Sequence, residues 1–170
     1  MQRIKEAEKN TKQYLLDGLI TKRTSKIRQE IFYENAKDSI KAAQLLMNNE
    51  HTLWTIVTSY YSMFYIANTI LLKKGYKVGD KIAHKVTSDA LIAILRKDIQ
   101  NSLINDYEEA KEEALRLAQI RTHEIITNYD NERKKRSRIQ YETTEKEMKN
   151  KAKTSLNRAK EFLYELEKLL

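Results

Sequence analysis

The densest group of reactive side chains is a basic run of five residues within six positions. Its members are Arg133, Lys134, Lys135, Arg136 and Arg138. Guanidinium and ammonium groups bind phosphates, and that binding weakens as salt is added. Such a run is also typical of a solvated linker. A second basic stretch, KKGYKVGDK at residues 73–81, favours a phosphate-facing surface, provided that the two stretches lie near each other.

A second pair of groups that could act on a phosphodiester is Arg116 and His123, which are seven residues apart. Seven residues are nearly two helical turns, so both side chains would share one face of a helix. Glu112 lies four residues before Arg116 on that face, in the favourable order for an ion pair. We therefore favour a solvated, salt-bridged surface over a catalytic pair. Arg121 falls on the apolar stripe of the same segment, and it either points into a dimer cleft or reaches past the edge of the core.

An aromatic cluster of Tyr60, Tyr61, Phe64 and Tyr65 could stack on nucleic-acid bases. Its helical spacing favours a role in the core or an interface instead. His84 stands at the start of a predicted helix, and we interpret it as a cap or loop residue rather than a catalyst.

Several chemistries are excluded by residue types. The chain has no cysteine, which excludes disulfides, thiolate catalysis and cysteine-based metal centres. The three histidines are far apart in sequence, so a histidine-rich metal site is not expected. Without a glycine-rich phosphate loop or metal-spaced carboxylates, a conventional NTPase or nucleotidyltransferase is not expected either. We expect no metal and no cofactor.

Composition indicates a helical chain. The 170 residues suit one domain, include no proline and only three glycines, and are rich in helix-forming residues. No signal peptide or run of about 18 apolar residues is present, so we expect a cytoplasmic protein that does not enter the membrane. The net charge of +8 gives a modest attraction to polyanions.

Apolar periodicity predicts the elements that must position these groups. Residues 1–24 form an N-terminal helix or arm, and residues 25–170 form a single domain. Helices are predicted over about 25–49, 52–74, 84–96, 99–128 and from 144 to the end. The fold class is therefore all-α, an up-and-down bundle of four to five helices. The apolar stripes fit a homodimer through a long helix, and a monomeric bundle would produce similar stripes.

Three details of these helices can be checked directly. The inward stripe of the first long helix includes Ile27 and Ile31, and that of the second includes Trp54. Gly75 is expected to end the second helix, because glycine enters the left-handed conformation cheaply. Thr144 fits a capping box at the start of the last helix.

Three stretches resemble the HEPN superfamily, in particular its small stand-alone prokaryotic branch. They are YENAKDSIKAAQLL (33–46), WTIVTSYYSMFYIANTILLKKGY (54–76) and RSRIQYETTEKEMKNKAKTSLNRAKEFLYEL (136–166). HKVTSDALIAIL (84–95) also stands where that family has a short middle helix. The resemblance covers roughly residues 15–170. It implies an all-α bundle that usually dimerises, and it implies RNA cleavage, RNA or nucleotide binding, or pairing with a small nucleotidyltransferase in a toxin–antitoxin module.

Active HEPN ribonucleases carry an arginine, four to six residues and then a histidine. At the matching place this chain has Arg136, four residues and then Tyr141. A histidine with a pKa of about 6.5 can move a proton at neutral pH, whereas a phenol with a pKa of about 10 is a poor base. Tyr141 can still donate a hydrogen bond or stack on a base. The alternative is that Arg136, Arg138 and Tyr141 only cap the last helix in solvent.

Three functions follow as hypotheses. The first is an RNA- or nucleotide-binding dimer that binds phosphates through the basic run and uses Arg136, Arg138 and Tyr141. The second is a metal-independent endoribonuclease, a toxin, in which Arg136 and Tyr141 are the catalytic candidates. The third is a non-catalytic helical partner of a separately encoded nucleotidyltransferase.

Overall fold

The computed structural model describes residues 2–130 and 145–170, and it describes the side chains of 2–122 and 145–170. Its elements in chain order are α1 (Gln2–Leu16), β1 (Ile20–Lys22), α2 (Lys26–Asn48), α3 (Thr52–Lys73), β2 (Tyr76–Val78), α4 (Ala83–Ala90), a π turn (Leu91–Leu95), α5 (Asn101–Asp130) and α6 (Glu145–Glu167). The predicted all-α bundle is confirmed, with six helices and one small ribbon in the described part.

The centre of the bundle is α3, which is apolar on nearly every side and is surrounded by other helices. It packs against α2, α5 and α6, and its buried residues include Tyr60, Met63 and Ile66. Tyr107 of α5 and Phe162 of α6 close the core from the opposite side, with ring centroids 5.5 Å apart. None of the described helices is both long enough and apolar enough to cross a membrane.

Helix ends follow the sequence closely. Ser25 caps α2 because its side-chain oxygen accepts a hydrogen bond from the Arg28 backbone N–H at 3.3 Å. Gly75 follows α3 with a φ of 89°, which confirms its predicted role as a stop. Thr144 lies outside the described residues, so its predicted cap stays a prediction.

The antiparallel ribbon of β1 and β2 was not predicted. It pairs Ile20 with Val78 and Lys22 with Tyr76, and β2 lies within the stretch that we had interpreted as a basic loop. Three-residue strands leave too short a pattern to recognise, and these two are separated by the whole of α2 and α3.

Part of the predicted inner faces was wrong. Ile27 is 73% exposed, Ile31 is 52% exposed and Trp54 is 45% exposed. The residues of α2 that are fully buried are the small Ala36 and Ala43, which allow α2 to pack closely on α3. The bulkier apolar residues of α2 therefore point partly to solvent.

The N-terminal helix α1 packs on α4 and the π turn. Ala7 of α1, Ile92 of the π turn and Ile104 of α5 form a small buried cluster apart from the main core. The π turn places Leu91 and Leu95 in the main core and Ile92 under α1, so it contributes residues to both hydrophobic clusters.

Candidate functional site

The basic residues singled out in the sequence lie outside the described residues. They are Arg133, Lys134, Lys135, Arg136 and Arg138, and Tyr141 lies outside as well. His123 belongs to α5, but its side chain is also outside the described part. Their proposed roles therefore stay predictions.

The surface reading of Arg116 is supported by its contacts. Its guanidinium forms a salt bridge with Glu113, with Nε and Oε2 3.0 Å apart. Glu113 is the neighbour of Glu112, the partner that the sequence predicted. Arg116 therefore belongs to a salt-bridged surface at the middle of α5. Arg121, predicted to point into a dimer cleft or to reach past the edge of the core, is exposed.

The described residues that do come together are aromatic. Phe32, Tyr61, Phe64 and Tyr65, all half-buried, lie in a row on the outer side of α2 and α3, and His84 of α4 ends the row. Ring centroids along it are 5.9 Å apart for Phe32 and Tyr65, 6.1 Å for Tyr65 and Tyr61, and 4.7 Å for Phe64 and His84. We call these five side chains the aromatic–histidine face.

Tyr60 supports this face from below. It is buried in the core, and its hydroxyl oxygen lies 2.8 Å from Nδ1 of His84. Its ring is 5.8 Å from that of Tyr61 and 5.7 Å from that of Tyr107. The aromatic cluster that the sequence offered is thus divided: Tyr60 belongs to the core, whereas Tyr61, Phe64 and Tyr65 are partly open to solvent.

His84 is not a cap. It is the second residue of α4, and the preceding Ile82 makes no side-chain capping hydrogen bond. The imidazole packs against Tyr61 and Phe64 and is held by Tyr60. The prediction of a cap or loop residue is therefore replaced by a fixed ring at the end of the aromatic row.

Burial and the nearby Lys111 ammonium both lower the pKa of His84. Its imidazole is therefore neutral at neutral pH. Burial also raises the pKa of Tyr60 far above the ordinary value of a phenol, so its hydroxyl stays protonated. His84 has two neutral tautomers. In one, the Tyr60 hydroxyl donates to Nδ1 and Nε2–H is a donor. In the other, Nδ1–H donates to the Tyr60 oxygen and Nε2 can accept a proton.

A polar network begins at Lys111, beside the same end of the face. The Lys111 Nζ donates to Ser88 Oγ at 3.1 Å, and Ser88 in turn donates to Glu108 at 3.0 Å. Arg3 of α1 bonds Glu108 at 2.7 Å and Asp89 at 2.5 Å. Charges on α1, α4 and α5 are therefore coupled through one chain of contacts.

Asp89 is the most buried charge in this network, at 1% exposure. Besides Arg3, it accepts hydrogen bonds from Tyr14 at 2.8 Å and from Asn10 at 3.1 Å. Three donors from α1 on one buried carboxylate make Asp89 the anchor of the N-terminal helix. The sequence analysis did not identify Asp89. A single acidic residue just before the apolar run LIAIL does indicate a carboxylate that needs buried hydrogen-bond partners.

The face can supply stacking surfaces and one neutral imidazole beside a cation. Half-exposed aromatic rings are a platform for bases, and an imidazole of lowered pKa can accept a proton. Within the described residues, no group of three or more acidic or histidine side chains could hold a metal ion.

A family model described as "HEPN domain" matches residues 29–169 of the chain. The matched span contains the whole aromatic–histidine face and excludes α1 and β1. No curated protein and no solved structure matches the chain.

Proposed function

The chain belongs to the HEPN domain family, a family of RNA-related or nuclease type, and we propose that it binds RNA through the aromatic–histidine face. The observation that carries this proposal is the row of half-exposed rings that ends at His84. A face of this kind stacks single-stranded bases with little regard to sequence, because every base has a π face.

Phosphate contacts complete the proposal. Lys111, whose ammonium acts electrostatically on His84, donates to Ser88 at 3.1 Å and lies 3.9 Å from Glu108, and it is the cation that we assign to this end of the face. We assign the other phosphate contacts to the basic run, in particular Arg136 and Arg138, with Tyr141 as a further stacking or hydrogen-bonding group. Binding should then weaken steeply with salt, since each neutralised phosphate releases counterions.

The stacking contribution is tested by a mobility shift with single-stranded RNA in EDTA. Tyr61→Leu and Tyr65→Leu each remove a ring from the face, and Tyr164→Leu is the matched control because Tyr164 is 62% exposed on α6. Loss of one stacked base costs about 1–3 kcal/mol, so we expect affinity to fall about fivefold or more. Wild-type affinity in both face variants, or an equal loss in Tyr164→Leu, would contradict the proposal.

The basic run needs its own variants. Arg136→Ala and Arg138→Ala should weaken binding and reduce the slope of affinity against salt by about one per phosphate contact. Lys153→Ala removes the same charge from an exposed position of α6 and should change little. A slope that stays at the wild-type value in both arginine variants would remove these residues from the RNA-binding surface.

A second candidate function is metal-independent RNA cleavage, and His84 is the observation that favours it. In the tautomer with Nε2 free, His84 could take the proton of a ribose 2′-OH. The 2′-oxygen would then attack phosphorus, the bond to the 5′-oxygen would break, and that oxygen would leave with a proton from water or from the His84 imidazolium, which leaves a 2′,3′-cyclic phosphate. Arg136 is the proposed stabiliser of the charge on the phosphate.

Cleavage is tested in EDTA on a denaturing gel with tRNA and mixed RNA, and products are checked for 2′,3′-cyclic phosphate ends. His84→Ala should abolish cleavage, and Tyr60→Phe should lower it by releasing the ring. Intact RNA with the wild-type protein, or equal cleavage by His84→Ala, would leave RNA binding as the function.

We further propose a homodimer that uses a second exposed side of α2, which carries Ile27, Ile31 and Leu45 and does not include Phe32. Light scattering of the double variant Ile27→Glu, Ile31→Glu should show a monomer where the wild type shows a dimer. A wild-type monomer at the same concentration would contradict the dimer. Stable co-purification with a small nucleotidyltransferase would instead favour the proposed role as a helical partner.

A further inference from the structure

A cleft lies at the end of the bundle where α2 begins and α3 ends. It is lined by Arg23, Thr24, Ser25, Arg28 and Lys77, and its volume is about 320 Å³. That volume equals roughly ten water molecules in the liquid, which is room for a hydrated phosphate or pyrophosphate group.

Three separate segments bring cations to this cleft. Arg23 follows β1, and its backbone N–H donates to the Gly75 carbonyl at 2.9 Å, which fixes it beside β2. Lys77 is the middle residue of β2 and pairs in register with Thr21. Arg28 stands in the first turn of α2. The ribbon and the helix therefore hold the three positive groups around one space.

None of these cations is neutralised by the rest of the described chain. No carboxylate of the described residues lines the cleft, and the first turn of α2 contains no acidic residue. Among the residues that the structure describes, no side chain forms an ion pair or hydrogen bond with the side chains of Arg23, Arg28 or Lys77.

This arrangement disfavours the free protein locally. Arg28 and Lys77 are partly buried and line one space together with Arg23, and like charges that share one space repel one another. Cations near the start of a helix also oppose its dipole, and the usual sequence preference there is for acids. An anion in the cleft would satisfy all three groups at once.

We propose that this cleft is a phosphate-binding site separate from the aromatic–histidine face. Phe32, the residue of that face nearest to the cleft on α2, lies four residues after Arg28, a rise of about 6 Å, and none of the five side chains of the face lines the cleft. The ligand is a phosphate or pyrophosphate group with a terminal charge, carried either by a free nucleotide or by the 5′ end of an oligonucleotide. Thr24 and Ser25 line the same space and add hydroxyl groups to the charged ones.

Calorimetric titration of the full chain with inorganic pyrophosphate at low salt tests the site. Arg28→Gln and Lys77→Met remove one charge each and keep much of the side-chain length, and Lys9→Met is the matched control on exposed α1. We expect the wild type and Lys9→Met to bind alike, and each cleft variant to bind about tenfold more weakly. Circular dichroism establishes that the variants are folded.

A comparison of the same oligonucleotide with a 5′-phosphate and a 5′-hydroxyl distinguishes the two sources of phosphate. If the protein prefers the 5′-phosphate oligonucleotide and Arg28→Gln loses this preference, the cleft binds RNA ends. If both oligonucleotides bind equally while pyrophosphate still binds, the cleft is assigned to free nucleotides. Absence of pyrophosphate binding by the wild type, or wild-type binding by both folded cleft variants, would overturn the site. Tyr61→Leu should leave pyrophosphate binding unchanged, so failure of this site and failure of RNA binding are separable.

Discussion

Replacement of Asp89 by alanine should loosen the N-terminal helix more than any surface change. The carboxylate is 1% exposed and receives hydrogen bonds from Arg3, Asn10 and Tyr14, all on α1. Its removal leaves these donors facing a small empty space. No other described carboxylate is within hydrogen-bond distance of Asn10 or Tyr14.

The size of the effect can be worked from these contacts. Removing one partner of a buried ion pair costs about 3–5 kcal/mol. Arg3 is 38% exposed at its side chain and keeps Glu108, so we expect the lower end, about 3 kcal/mol. For a chain of this length each kcal/mol lowers the melting temperature by about 2–4 °C, which gives a decrease of about 6–12 °C.

Two measurements check this prediction. Urea unfolding followed by circular dichroism gives the change in free energy, and hydrogen exchange of the α1 amides shows whether the loss is local to that helix. Asp89→Asn is the control, since it keeps the volume and one acceptor and should lose about 1–2 kcal/mol. A loss below about 1 kcal/mol in Asp89→Ala, with α1 amides still protected, would refute the anchoring role of this carboxylate.

The hydrogen exchange of α1 also concerns the predicted boundary between an N-terminal arm, residues 1–24, and the bundle domain, residues 25–170. That boundary between an arm and a bundle stays a prediction, and the family match begins at residue 29. If α1 is anchored as its contacts indicate, removal of residues 1–24 would expose Ile92 and Ile104 and leave Asp89 without α1. We therefore expect the truncated chain to be less stable than the whole chain.

Three further predictions concern single side chains. Burial, and then the hydrogen bond to Asp89, raise the pKa of Tyr14 to about 12. A tyrosine in the unfolded chain has a pKa of about 10. The folded protein therefore loses stability as the pH rises from about 10 to about 12. Tyr14→Phe should lack that alkaline loss in urea unfolding; an identical pH profile would contradict it. The pKa of His84, measured by NMR, should lie below the ordinary value of about 6.5 and should rise in Lys111→Met. The contribution of the neutral His84 ring to the free energy of unfolding should be lost as the pH falls from about 6.5 through the pKa of the folded protein. Ile82 has a φ of 44°, a backbone conformation that is strained for a β-branched residue. Ile82→Gly should therefore stabilise the protein by about 1 kcal/mol in urea unfolding. Destabilisation would show that the Ile82 side chain is needed.

Much of the fold could be predicted because the helices carry long apolar stripes and clear stops. The ends of α2 and α3 lie within two residues of the predicted ends, since Ser25 and Gly75 have the right chemistry for a cap and a stop. Periodicity could not show how deep each stripe is buried. Ile27 and Ile31 have the spacing of core residues, yet small alanines take the buried positions of α2.

The candidate site was less accessible to prediction. The aromatic cluster was recognised as a group, but only the fold separates the buried Tyr60 from the open Tyr61 and Tyr65. His84 is 24 residues from Tyr60, and no local pattern predicts their contact. The three cations of the cleft come from the residue after β1, from β2 and from α2, and the ribbon that brings them together was not predicted.

The ribbon also sets an order of folding. α2 and α3 are adjacent in the chain and pack antiparallel, so their pairing needs only a short turn and should come early. β1 precedes α2 and β2 follows α3, so the two strands are brought together only after that helical hairpin exists. Closing this loop of more than 50 residues in an unfolded chain would cost much more entropy than closing it on a finished hairpin. We expect refolding to show the α2–α3 pair first, the ribbon second, and α1 docking on α4 last.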